Sequence, residues 1–249
     1  MHFGEEVMET FTHADGRLIR TIRALTTCPG ELTNAYMTGH RKRYVGPLQL
    51  FLILNLIFFL IGSLGFEINP FTTPLQIQTH ASNFPYAEWA KQLVDQRLVT
   101  RRITLEAYTA VFDHATATQA KSLVIVMVPV FAVWVGLVTL PRRRAFVQHL
   151  VFSLHTFTML FVILTATVAI INAIVAWKRT TGGHIRISDA MITLTVGVAF
   201  VLYLARALRR AYGGNVVAFS LRAVAPTLSL VFVLTAYRML LFFVTFLTT

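Results

Sequence analysis

Seven side chains put polarity where an apolar surrounding makes it expensive. Gln49 and Asn55 interrupt one long apolar run, His149 and His155 a second, and Arg238 a third. Glu67 stands at the far edge of the first of these and Asp189 at the edge of another. A charge inside hydrocarbon costs about 2.5 kcal/mol or more on insertion scales, so such a residue is a functional candidate by default. Imidazole, amide and guanidinium groups in a line could relay protons, bind a headgroup or pass a polar cargo. Metal ligation fits poorly. Ligands on one helical face stand three or four residues apart, whereas the six from His149 to His155 rotate the helix by about 240°. Ser153 lies one turn from His149, but no acid in that half of the apolar run could orient the imidazole, so a Ser-His-Asp set lacks its third member. Gly182-Gly183 and Gly213-Gly214 are turn dipeptides, not phosphate-cradling loops. The residues therefore offer no catalytic set, no metal site and no cofactor, and the expected role is non-enzymatic.

These groups must be positioned by helices that cross a bilayer. The run from Gly46 to Gly62 carries no charge and follows directly on His40-Arg41-Lys42-Arg43-Tyr44. About 20 apolar residues span the roughly 30 Å hydrocarbon core. Five runs have this character: Val45 to Phe66, Lys121 to Leu140, Ala145 to Trp177, Ile187 to Leu208 and Ala223 to Leu247. Composition agrees, with 55% hydrophobic and 13% charged residues, against roughly 25% charged in soluble domains. The expected fold is all-α: a polytopic membrane helix bundle with five transmembrane helices. Residues 1–44 form cytoplasmic interfacial helices, 45–66 the first span, 67–120 a helical extracytoplasmic insertion, and 121–249 spans two to five. The first apolar run begins after about 45 residues, too late for a cleaved signal peptide.

Sidedness follows from the basic residues. Arg17, Arg20, Arg23, Arg41, Lys42 and Arg43 precede the first span, Arg142, Arg143 and Arg144 lie between the second and third, and Arg206, Arg209, Arg210 and Arg222 lie at or between the fourth and fifth. These alternate segments share one face, which the bias makes cytoplasmic, so the N-terminus is expected inside. The net charge of +11 is spread over the ends of apolar runs rather than gathered into a basic domain. Its expected partners are anionic lipid headgroups, met by Arg17, Arg20, Arg23, Arg41, Lys42, Arg43 and Arg142 to Arg144, and not nucleic acid. A membrane-protein partner or a second copy of the chain is also compatible. The lone Cys28 makes neither an internal disulfide nor a zinc ribbon.

Depth counting gives expected pairings. At roughly 1.5 Å per residue, Gln49 matches His149 and Asn55 matches His155. Arg238 falls near the level of Asp189 and Glu67, one of which is expected to pair with it. Over 16–26, Leu18, Ile22 and Leu25 share a face opposite Arg17, Arg20 and Arg23, the pattern of a basic helix that lies in the interface or packs on the bundle's ends. Thr27 is expected to cap a short helix with Pro29 in its first turn and Gly39 at its exit.

That short helix belongs to the strongest local pattern: Pro29-Gly30-Glu31, then Tyr36-x-x-Gly39-x-Arg41-Lys42-Arg43-Tyr44-x-x-Pro47-x-x-x-Phe51. It resembles the start of an uncharacterised bacterial membrane-protein family catalogued as domain of unknown function 3667. His149 to His155 and Tyr237 to Phe243 look similar as well. The resemblance implies the bacterial inner membrane. Many relatives begin with a zinc-ribbon element that this chain lacks, so no zinc role is implied, and the family supplies no activity. The leading expectation is a lipid- or partner-binding subunit or scaffold. The alternative is a small transporter using Gln49, Asn55, His149, His155 and Arg238. A lipid-acting enzyme is weakest and would need a headgroup-level pocket that holds a base.

Overall fold

A computed structural model describes residues 16–63, 70–80, 84–139, 145–181, 188–213 and 216–249, without the side chains of Ser63, His80, Asp189 and 216–229. Glu67 and Arg142 to Arg144 lie outside the described residues. Helix α1 covers 16–27. It is followed by α2 (Glu31–Met37), α3 (Pro47–Ser63), α4 (Leu75–His80), α5 (Ala87–Arg101), α6 (Leu105–Leu123), α7 (Met127–Val138), α8 (Phe146–Thr181), α9 (Asp189–Tyr212) and α10 (Val216–Thr248). Short 3-10 turns occupy Arg41–Arg43 and Val124–Val126, and among the described residues there is no strand. Five stretches are long and apolar enough to cross a membrane: Arg41–Gly62, Leu105–Val138, Phe146–Thr181, Ala190–Tyr212 and Leu230–Thr248. The chain is a multi-pass, all-α membrane protein.

The chain divides into two compact units, residues 1–66 with 132–227 and residues 67–131 with 228–249. The first is built around α8. Eight consecutive residues, Val151 through Thr158, are buried, so at this level the helix is enclosed all round. Its hydroxyls are satisfied locally: Ser153, Thr156 and Thr158 donate to the carbonyls of His149, Phe152 and Leu154, the back-bond that lets a hydroxyl sit in an apolar helix. Helices α2, α3 and α9 pack on α8. Phe161 of α8 meets Phe51 and Phe58 of α3, each with ring centroids 5.5 Å apart. The opposite face of α3 carries Leu48, Leu52, Leu56 and Leu60 at four-residue spacing, 50%, 47%, 68% and 59% exposed. In lipid, such a row is the helix's contact with acyl chains.

Local rules set the ends of these elements. Pro47 opens α3, where a missing N–H costs nothing, and Gly46 accepts the first backbone bond from Leu50. Ser188 caps α9, its hydroxyl accepting from the Met191 amide at 3.3 Å. Helix α2 starts later than Thr27 predicts. Thr27 instead closes α1 by donating to the Arg23 carbonyl, and Gly30 is the cap, at φ +82. Its exit is as expected: His40 N–H bonds Ala35 O and Gly39 N–H bonds Tyr36 O, a Schellman closure around Gly39 at φ +87.

In the second unit, Leu75, Tyr86, Ala90, Val94, Tyr108, Phe112, Phe242 and Phe246 form one apolar cluster. A polar ladder joins α6 to the end of α10: Gln119 donates to the Thr248 hydroxyl at 2.7 Å and accepts from that of Thr245 at 2.8 Å. Arg97 of α5 donates to the Phe246 carbonyl at 2.9 Å and lies over its ring at 3.8 Å, cationic neutralisation of a helix C-terminus. The helix that carries the second span begins well before Lys121. Helical residues run from Leu105 to Val138, tightened only at Val124–Val126, just before Pro129, whose ring cannot donate to the carbonyl four residues back.

Candidate functional site

A concavity lies in the first unit, where α1, α2, the basic turn, the start of α3 and α8 converge. It is a cleft of about 410 Å³, lined by Arg17, Leu32, Tyr36, Arg41, Lys42, Tyr44, Val45, Gly46, Pro47 and His155.

Each wall has a local cause. Helix α1 turns Leu25 and Thr21 inward, 1% and 0% exposed, and leaves Arg20 and Arg23 in the open. Thr21 clamps α1 to the chain entering α3: its hydroxyl donates to the Arg17 carbonyl at 2.6 Å and accepts from the Val45 amide at 3.0 Å. Arg17 adds a bond to the Tyr44 carbonyl at 2.9 Å, which sets its guanidinium at the cleft edge. The Arg41 guanidinium lies 5.5 Å from the Tyr36 ring centre, within cation–π range.

Helix α2, which carries Leu32 and Tyr36, is held from behind. A Cβ on Gly30 would stand 2.5 Å from the Ala207 carbonyl oxygen of α9, so glycine is required both for its backbone angle and for the close approach. One residue on, Glu31 pairs with Arg210 at 2.8 Å. That pair is partly exposed and contributes orientation more than stability.

The floor is His155, 5% exposed. Its Nδ1 shares a 2.9 Å hydrogen bond with the hydroxyl of buried Thr33. Which of the two donates depends on the imidazole tautomer. Three cations and one buried imidazole therefore line the cleft. Among the described residues no acid lines the cleft, and none of the three cations pairs with a carboxylate. The arrangement can neutralise and hydrogen-bond an oxyanion.

The other expected residues fall elsewhere. Gln49 is exposed, so it does not pair with His149, which is buried and bonds the Tyr212 hydroxyl at 2.8 Å with the two rings stacked. His155 goes to Thr33 rather than Asn55, because α2 folds down onto α8. Asn55 is half-buried on α3. Of the basic residues, Arg17, Arg41 and Lys42 line the cleft, while Arg20, Arg23 and Arg43 are exposed outside it. In the second unit, Arg238 donates to the Pro70 carbonyl at 2.8 Å and faces the Phe84 ring at 5.7 Å. Its two expected acids, Glu67 and Asp189, have no described side chain. Nearby Tyr86 is pushed up to about 12, mainly by burial, with Arg238 pulling the other way. It stays a neutral donor to Gln78.

Sequence reasoning missed Thr33, Tyr36, Leu32 and Tyr212. Only Tyr36 carried a signal, as a member of the quoted motif.

A multi-pass membrane protein with a basic cleft on its N-terminal elements is thus defined. A family model described as Protein of unknown function (DUF3667) matches residues 15–59, so the chain resembles that family from α1 through most of α3. Every lining residue of the cleft except His155 falls inside the match, whereas His149 to His155 and Tyr237 to Phe243 lie beyond it. No curated protein and no solved structure matches the chain.

Proposed function

We propose that this protein is a non-enzymatic, lipid-binding subunit of the bacterial inner membrane that holds an anionic headgroup in the cleft on its cytoplasmic side. The observation that carries this is a cleft lined by Arg17, Arg41 and Lys42, with no acid in its lining among the described residues. Membrane context supports it. The cleft opens where a basic turn precedes the first apolar span, the place where charged side chains and a tyrosine meet phosphates. Pro47 lines the cleft, and Leu48 begins the exposed row on α3, so a headgroup in the cleft leaves acyl chains a path along the helix. The transporter alternative draws less support, since Gln49 is exposed and the two histidines bond Tyr212 and Thr33.

Nanodiscs of phosphatidylcholine doped with phosphatidylglycerol test this reading, with native mass spectrometry counting the lipids retained. Phosphatidylglycerol should be enriched on the wild-type protein, and Arg41→Gln with Lys42→Gln should weaken that retention by about tenfold or more, the scale of losing charge-assisted hydrogen bonds. Equal retention of the two lipids, or a double variant that binds as the wild type does, would overturn it.

A further inference from the structure

Resting on that reading, we infer that the acidic segment before α1 is an internal competitor for the cleft: Glu5, Glu6 and Glu9 pair with its cations until an anionic lipid displaces them. The first ground is where the acids fall. Residues 1–15 hold Glu5, Glu6, Glu9 and Asp15 and no Lys or Arg. The chain has 11 acids in all. Those from Glu67 to Asp189 belong to segments that the basic bias assigns to the outer face. On the face that carries the cleft, the sequence holds one other acid, Glu31, and Glu31 already pairs with Arg210 at 2.8 Å. Asp15 directly precedes Gly16, the first residue of α1, where a carboxylate suits the positive end of the helix. Glu5, Glu6 and Glu9 are left as the carboxylates of this chain for Arg17, Arg41 and Lys42.

Chain connection favours the encounter. Arg17 stands in the first turn of α1 and also lines the cleft, its guanidinium bonded to the Tyr44 carbonyl at 2.9 Å. The segment therefore joins the fold at the cleft's edge. Glu9 precedes Arg17 by eight residues and Glu5 by twelve, reaches of at most about 29 Å and about 43 Å. A tether this short gives an effective concentration on the order of mM, against two guanidinium groups and an ammonium that accept charge-assisted bonds from carboxylates as from phosphates. Composition adds to charge. Phe3, Val7, Met8 and Phe11 are interleaved with the three glutamates, and Leu32, Tyr36, Val45 and Pro47 give the cleft an apolar part. The segment thus has the chemistry of an anionic amphiphile, with carboxylates in place of phosphate. If it fills the cleft in about 70–90% of molecules, the apparent Kd for lipid rises by about three- to tenfold, and the cleft loads only where anionic headgroups are dense.

The test uses the full chain in phosphatidylcholine nanodiscs doped with phosphatidylglycerol, with retained lipid counted by native mass spectrometry. Glu5→Gln, Glu6→Gln and Glu9→Gln together should raise phosphatidylglycerol retention by about three- to tenfold. Combined with Arg41→Gln and Lys42→Gln, the same three changes should alter retention by less than about twofold, because the competitor has lost its site. In a Cys28→Ala background, Glu6→Cys with Lys42→Cys should give a disulfide under mild oxidation in neutral detergent, and excess phosphatidylglycerol should suppress it. Enrichment of phosphatidylglycerol on the wild type that the triple variant leaves unchanged would overturn the inference and leave the headgroup reading intact. An equal rise with and without Arg41 and Lys42 would also overturn it, since the acids would then act through the general field of the surface. A disulfide that does not form, or that ignores the lipid, would overturn it as well. No enrichment over phosphatidylcholine on either the wild type or the triple variant would overturn both the inference and the headgroup reading.

Discussion

At the scale of single residues, two glycines with similar backbone angles should behave differently. Gly30 and Gly39 both have positive φ, but only Gly30 faces another backbone, with the Ala207 carbonyl 2.5 Å from the position of a Cβ. Gly39→Ala should cost about 1–2 kcal/mol for the left-handed angle alone. Gly30→Ala adds a collision that must push α2 off α9, and the total should exceed that by about 1–3 kcal/mol. Thermal melting in detergent reads the difference, and equal shifts would show that α2 does not press on α9. A second residue-scale expectation concerns Tyr212→Phe, which keeps the ring stack on His149 but removes the 2.8 Å bond. A buried imidazole nitrogen left without its partner should cost about 1–3 kcal/mol, seen as a lower melting point in the same assay. An unchanged melting point would mean that the stack, not the hydrogen bond, holds the pair.

At the scale of elements, α3 has one packed face and one lipid face, and substitutions should separate them. Phe161, meeting two α3 rings, is fully buried, so Phe161→Ala should destabilise by about 3–5 kcal/mol. Leu56 is the most exposed of its row at 68%, and Leu56→Ala should stay within about 1 kcal/mol. Denaturation in mixed micelles compares them, and a large loss at Leu56 would mean that the row is an interface rather than a lipid face. The spans were legible in the sequence because hydropathy is a property of side chains added along the chain. What hydropathy hides is where a helix starts. The reading that opened the second span at Lys121 followed the polar residues Asp113, His114 and Gln119. The backbone needs no apolar side chain to stay helical, and α6 continues through all three. The same gap explains Tyr212. Arg209 and Arg210 end the apolar run, yet α9 extends through Tyr212 and delivers the partner of His149. Depth counting gave the histidines a level in the bilayer but not a direction around the helix, so it could not see that Thr33, on a short helix outside the spans, turns in toward His155. The basic turn of the cleft was readable from Arg41 and Lys42. Its floor was not.

At the scale of the whole molecule, five candidate spans with the basic bias on alternate segments predict residues 16–40 in the cytoplasm and residue 249 outside. In a Cys28→Ala background, single cysteines at Arg20 and Thr249 should react oppositely with an impermeant maleimide in intact cells, the second labelled and the first protected. Labelling of both, or of the first alone, would break the topology and move the cleft to the wrong side for cytoplasmic headgroups. What occupies that cleft is the most direct test of the headgroup role. A density map of the protein in nanodiscs rich in anionic lipid should show headgroup density there, with phosphate oxygens within about 3 Å of the Arg17, Arg41 or Lys42 nitrogens. A map with ordered lipid along the α3 leucines and nothing between those three cations would contradict it.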